Sequence, residues 1–294
     1  MINSQSSNHL IISCGDAIVA GSYLKHSCFS SVINFYDPNS ERLISLVSSV
    51  IGAGPGNIEV CPPILDYYRQ ESVVSVEILP NFPANVRKVY CSKMEIESEK
   101  DWGCRVAEFK KLILSYAKCA DSVYLLQDVG SGSDISALKR STFDRTLLNH
   151  FVQGVALFFS SSWKEGVVVL AGLGGGLTPT GDDFLTGVMV GLRFIYLTRK
   201  ETCFNPDKVG EMIFHLAQGP NLISTAQLFW ASRGRVSITV KELLSALNQG
   251  PIERLSTAVD HLSTYGSSSG VDFMVGLCMT LERNDKLEFF YECN

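Results

Sequence analysis

The stretch GLGGGLTPTGDDFLTG, Gly172 to Gly187, places six glycines in sixteen residues and sets two adjacent aspartates just ahead of an apolar run. Glycine buries no side chain and loses more backbone entropy than any other residue. Such a density is tolerated where the chain must turn sharply or lie close against another backbone. The segment therefore predicts a tight turn that opens into a helix over about 182–198.

The same helix start is written twice. TGDDFLTG (Thr180 to Gly187) overlays SGVDFMVG (Ser269 to Gly276) as hydroxyl, glycine, variable, aspartate, phenylalanine, leucine or methionine, variable, glycine. Both copies lead from a small-residue loop into an apolar segment. Asp272 thus stands where Asp183 stands in the first copy, and Ser269 where Thr180 stands.

Around these two blocks the texture divides. Up to about residue 97 the chain runs in short β-branched segments, LIISCGDAIVAG, ERLISLVSSVIGAG, VVSVEILP and NVRKVYCSKMEI, bounded by turn formers. From residue 98 the apolar residues recur at three- and four-residue intervals, as with Val106, Phe109, Leu112, Ile113 and Tyr116. Further helices are expected over about 139–160, 206–218, 222–233, 239–248 and 252–264, with a Gly/Ser/Asp loop over 128–135. The fold class read from this is α+β: a β-rich N-terminal domain, 1–97, followed by a mainly helical domain, 98–294, that carries the glycine loop.

At net charge −5 and with no run of Lys or Arg, the chain lacks the electrostatic footprint of a nucleic-acid or anionic-membrane binder. Its most apolar stretch, Phe184 to Leu197, is broken by Arg193 and is too short to span a bilayer. Nine scattered cysteines with no Cys-x-x-Cys pair argue against a disulfide framework or a zinc site, and suit a reducing cytoplasm. The expected partner is a small molecule or another protein.

Familiar phosphate loops each make a demand that this one refuses. A Walker A loop ends in Gly-Lys-Ser/Thr, whereas Gly181 precedes Asp182. The dinucleotide fingerprint puts Leu177 or Pro179 in its third glycine slot, depending on the start. A more general possibility remains. Backbone N–H groups of Gly174, Gly175, Gly176 and Gly181, ahead of a helix N-terminus, form a concave site for a small anion, and Thr178 and Thr180 add hydroxyls. Asp182 and Asp183 oppose an anion. One is expected to cap the helix while the other binds Mg²⁺ or accepts from an amide or carbamoyl NH₂. The competing structural reading is a turn, an Asp N-cap and a glycine-faced helix; for Asp272 the cap reading is favoured.

Other candidates are weaker. GSSSG (Gly266 to Gly270) has the Gly-x-Ser-x-Gly form with Ser268 at its centre, yet a helical pattern precedes it and no histidine follows. His150, His215 and His261 lie in helical stretches. His26, beside Ser27 at a strand end, is kept as a substrate-contact candidate. Arg233 and Arg235 flank Gly234 at a helix end, and solvated charge is the default there.

With these residues in view, GLGGGLTPTGDDFLTG resembles the signature Gly-Leu-Gly-x-Gly-Leu-Thr-Pro-Ser/Thr-Gly-Asp-Asp-x-Leu of the AllH-like family, whose namesake is a subunit of oxamate carbamoyltransferase in anaerobic allantoin degradation. KHSCFSSVINF with LISLVSSVIGAGPGNIEV, LISTAQLFWASRGRVS and YGSSSGVDFMVGL extend the likeness from about Lys25 to Leu281. One position departs: Ser267 stands where the family pattern would have His. The resemblance implies carbamoyl transfer among oxalurate, oxamate and carbamoyl phosphate by a multi-subunit enzyme. Gly174, Gly175, Gly176, Thr178 and Thr180 would then hold phosphate or carboxylate, and Asp182 with Asp183 the carbamoyl NH₂ or Mg²⁺. Asp182, Asp183 and Thr178 are the catalytic candidates; Gly181, His26, Ser269 and Asp272 complete the binding set. Two alternatives belong to other classes: a binding or scaffold subunit, and a Mg²⁺-dependent enzyme acting on another small phosphate or carboxylate.

Overall fold

The computed structural model describes residues 11–40, 42–76, 88–96, 102–116, 120–126, 142–199 and 202–293. The loop expected over 128–135 lies outside them. The chain divides into two compact units, Met1–Lys93 with Arg235–Thr239, and Met94–Gly234 with Val240–Asn294.

Among the described residues the first unit is a seven-stranded sheet with one helix of its own. Its strands are β1 (Ile11–Gly15), β2 (Gly21–Cys28), β3 (Val32–Tyr36), β4 (Leu43–Val47), β5 (Asn57–Val60), β6 (Val73–Val76) and β7 (Val89–Tyr90). They are ordered β6-β2-β3-β4-β5-β1-β7. Pairing is antiparallel except for β4 with β5 and β1 with β7, which are parallel. Alternation along the strands sorts the two faces. Ile33, Phe35, Ile44, Leu46, Ile58 and Val60 form an apolar face, closed by Leu65 and Tyr68 of α1 (Pro62–Gln70). The opposite face carries a hydrogen-bonded row in register. Asn34 Nδ2 donates to Ser27 Oγ at 3.0 Å, and Ser45 Oγ donates to Asn34 Oδ1 at 2.6 Å.

The segment Arg235–Thr239 is stitched to this unit. Val236 N–H donates to Ser92 O and Ile238 N–H to Ala53 O, both at 2.9 Å. Arg235 pairs with Asp16 at 2.9 Å and donates to Ser92 Oγ at 2.9 Å.

The second unit holds α2 (Gly103–Leu114), α3 (Thr142–Phe158), α4 (Trp163–Leu170), α5 (Thr180–Thr198), α6 (Pro206–Ala217), α7 (Leu222–Ser232), α8 (Ile238–Asn248, whose first residues belong to the first unit), α9 (Ile252–Ser263) and α10 (Ser269–Glu282). A sheet followed by a helical region makes the chain α+β, as the sequence pattern predicts. The elements that the pattern did not mark are β3, β5, α1 and α4. The α4 sequence WKEGVVVL is valine-rich and short, so local propensity does not announce a helix. Tertiary packing makes it one: Trp163, Val167 and Leu170 are buried, and Gly166 lies against the Phe158 backbone.

Helices α5 and α10 are apolar on almost every side, which is the pattern of a helix enclosed by others. They pack on each other along their length, with α7, α6 and α4 against α5, and α2 and α9 against α10. Among the described residues no helix is long and apolar enough to cross a membrane.

Candidate functional site at the paired helix starts

The sequence echo is a structural one. Each buried helix is preceded by a shorter helix and a turn closed by the same bonds. In the first copy Leu173 N–H donates to Leu170 O at 3.0 Å, and Gly181 N–H to Leu173 O at 2.9 Å. In the second, Tyr265 N–H donates to Leu262 O and Gly270 N–H to Tyr265 O, both at 3.1 Å. A Cβ on Gly181 would fall 1.8 Å from Leu170 O, and one on Gly270 would fall 1.8 Å from Leu262 O. No other residue permits either approach. The first loop is three residues longer than the second, and the extra length lies in the glycine run. There Gly174 and Gly176 adopt φ of 121° and 87°, and a Cβ on Gly175 or Gly176 would meet nothing within 4 Å. That turn is open on its outer side.

Inside the turn, the three aspartates are buried, with exposures of 4% for Asp182, 4% for Asp183 and 1% for Asp272. None of them caps its helix. Pro179 and Ser268 occupy the N-cap positions, and neither makes a side-chain capping bond. The capping expectation for Asp182 or Asp183, and for Asp272, is therefore corrected. All three lie within the first turns, where their side chains reach back or across instead of onto the N-cap amides.

Asp182 reaches back. Its Oδ1 accepts from Gly172 N–H at 2.7 Å, and Ser224 of α7 also hydrogen-bonds to it. Burial raises its pKa, and those two bonds lower it in part. This carboxyl ties the glycine turn to α5.

Asp183 and Asp272 reach across. Ser269 and Thr178 hydrogen-bond to the Asp183 carboxyl, while Thr180, Ser268 and Ser122 hydrogen-bond to that of Asp272. Each aspartate thus takes a hydroxyl from the other copy's helix start, Ser269 in one direction and Thr180 in the other. Thr178 Oγ1 and Ser269 Oγ, 2.5 Å apart, join the glycine turn to α10. The Oδ2 atoms of Asp183 and Asp272 are buried and, among the described residues, have no hydrogen-bond partner.

The electrostatics follow from burial. Desolvation pushes Asp183 well above the ordinary carboxyl range; Ser269 opposes this, and the neighbouring Asp272 and Asp182 add to it. Desolvation also moves Asp272 up to about 6, against the hydrogen bonds of Ser122, Ser268 and Thr180. The arginines that the sequence left open are engaged elsewhere. Arg193 pairs with Asp207 at 2.5 Å, Arg233 lies 3.7 Å over the Phe229 ring, and Arg235 pairs with Asp16.

The structure thus gathers Thr178, Thr180, Gly181, Asp182, Asp183, Ser269 and Asp272 at one place, with Gly174, Gly175 and Gly176 in the adjoining turn. His26 belongs to the first unit. It is exposed on β2, with Nδ1 3.1 Å from Ser27 Oγ and its ring edge-on to Tyr36. Ser122, on a short 3-10 helix over Asp121–Leu126, was not marked by the sequence, since nothing near it indicates that it would meet Asp272. Ser268 is excluded as a nucleophile elbow, because helix α9 and not a strand precedes it, and its hydroxyl serves Asp272. Among the described residues no three or more His, Cys, Asp or Glu are grouped to hold a metal ion.

No curated protein and no solved structure matches the chain. A family model described as oxamate carbamoyltransferase subunit AllH matches residues 170–281, from the end of α4 through most of α10. The segment KHSCFSSVINF lies outside those residues. Residues 170–281, which contain both helix starts and all three buried aspartates, are thus similar to the AllH family.

Proposed function

We propose that this chain is a subunit of an oxamate carbamoyltransferase-like enzyme and that the paired helix starts bind its small substrate. The observation that carries this is the convergence of two helix N-termini on two buried carboxyls whose Oδ2 atoms lack partners, within the AllH-like segment. Buried polar atoms are almost always satisfied, so two equivalent exceptions at one place mark a site prepared for something else. In this reading the N–H groups of Gly174, Gly175 and Gly176 receive the anionic end of the substrate, while the Gly181 N–H stays on Leu173 O and the hydroxyls of Thr178 and Thr180 hold Asp183 and Asp272 in place. Fixed donors of this kind would stabilise charge that develops on oxygen during carbamoyl transfer. The cytoplasm is the compartment that suits its free cysteines, among them exposed Cys28 and Cys104.

A second reading, a binding subunit whose catalysis sits on a partner chain, is favoured by one observation. Arg193, Arg233 and Arg235 are committed to Asp207, Phe229 and Asp16, so the positive charge that a phosphate would seek is expected from another subunit.

Calorimetric titration of the full chain with oxamate, phosphate and carbamoyl phosphate, with and without Mg²⁺, tests the proposal. Binding that Thr178→Val weakens at least about tenfold, with the fold intact by circular dichroism, would support it. A chain that binds none of the three carries no such site by itself.

A further inference from the structure

The adjacent pair Asp182–Asp183 is not equivalent in its contacts, whereas Asp183 and Asp272, 89 residues apart, are. Asp182 is already spent on Gly172 N–H and Ser224. Asp183 and Asp272 occupy the same position in the two copies, are 96% or more buried, and each retains one oxygen without a partner. Their other contacts cross over between the copies through Ser269 and Thr180.

We propose that Asp183 and Asp272 together form the receptor for the NH₂ of a carbamoyl or primary amide group, each Oδ2 accepting one of its two N–H donors. This rests on the reading that the paired helix starts are the substrate site. A planar –NH₂ carries two donors, and each Oδ2 accepts one of them, as a carboxylate oxygen or, where the raised carboxyl keeps its proton on Oδ1, as the carbonyl oxygen. The helix N-termini beside them favour the anionic remainder of the same molecule. A small substrate bearing a carboxylate or phosphate at one end and –C(=O)NH₂ at the other matches both halves. Burial, which raises both carboxyls, penalises them while they are empty and rewards a ligand that supplies the missing donors. Entry requires the Thr178–Ser269 hydrogen bond to open, and the glycine turn that carries Thr178 meets no packing at Gly175 or Gly176 to hold it shut.

The test compares three probes on the full chain by calorimetry: oxamate, oxalate, which replaces the amide with a second carboxylate, and N,N-dimethyloxamate, which keeps the charge and lacks both N–H donors. Oxamate should bind at least about tenfold more tightly than either. In Asp183→Asn and Asp272→Asn, an amide nitrogen can face the incoming –NH₂. Each should lose at least about tenfold in oxamate affinity while oxalate changes by less than about threefold. Equal binding of oxamate and the two analogues overturns the –NH₂ receptor but leaves an anion site standing. So do variants that weaken oxamate and oxalate alike. Binding of none of the three overturns the site reading and this inference with it. The wild-type comparison decides even if a variant fails to fold.

Discussion

Gly187 stands against the carbonyl of Phe273 so closely that a Cβ on it would fall 2.0 Å from that oxygen. The partner copy returns the contact: a Cβ on Gly276 would fall 2.1 Å from Phe184 O. Phe184 and Phe273 are equivalent in the two copies, so α5 and α10 meet as two-fold mates inside one chain, each placing its glycine on the other's phenylalanine.

Gly187→Ala and Gly276→Ala should therefore destabilise the helical unit by similar amounts, about 2 kcal/mol or more each, because a backbone oxygen cannot step aside as a side chain can. The double variant should cost less than the sum, since the first substitution already spreads the helices. Urea denaturation of the three variants measures this. Unequal single effects, or full additivity, would show that the contacts are not shared.

The aspartate burial predicts a pH dependence with a definite sign. Asp272 moves from an ordinary 3.8 to about 6 in the fold, so the folded state holds its proton where the unfolded chain releases it. Stability is then greatest below about pH 4 for this group and is lost as pH rises to about 6, by about 3 kcal/mol in all. Asp183, raised in the same direction, carries the loss further up the pH scale. Asp272→Asn should flatten the thermal-midpoint profile between pH 4 and 7, and an unchanged slope would contradict the assignment.

Asp182→Ala should loosen the glycine turn without dissolving the unit. The Gly172 N–H would lose its 2.7 Å acceptor, at a cost of about 1–3 kcal/mol for an unsatisfied donor. Amide exchange over residues 172–178 should quicken while α10 stays protected. Global loss of protection instead would place Asp182 in the core packing and not in the loop.

Arg235 and Asp16 make a prediction for the sheet unit. Burial pushes Asp16 up, but hydrogen bonds from Ser92 and Arg235, with the Arg235 charge, bring it below the ordinary value. Stability from a depressed carboxyl is present above about pH 4 and is lost as pH falls through the lowered pKa. Arg235→Ala should cost about 1 kcal/mol at pH 7, discounted because both side chains are 22% exposed, and less at pH 2. Equal cost at both pH values would make the contribution one of packing.

Much of the fold was legible because periodicity reports which face a segment buries. The β-branched segments at β1, β4, β6 and β7 and the helical spacing in α2 and in α5 through α9 are local properties of the chain. Helix α4 was not legible: its valines disfavour a helix, and the surroundings of Trp163, Val167 and Leu170 overrule them. The site divides in the same way. The glycine turn, the paired aspartates and the echo between Asp183 and Asp272 can be read along the chain. That Ser122 would serve Asp272 cannot be, because the two lie 150 residues apart, and that Asp182 would fold back on Gly172 cannot be, because the conformation of the glycine turn between them decides it.

Two copies of one helix start are already written in the chain, since hydroxyl, glycine and aspartate at fixed spacing specify a turn, a close approach and a polar group on one helical face. Only the tertiary structure decided that the copies would face each other and exchange hydroxyls, leaving Asp183 and Asp272 each with an open oxygen. Packing Gly187 on Phe273 and Gly276 on Phe184 sets that arrangement, because backbone contact between α5 and α10 is a relation between segments far apart in the chain.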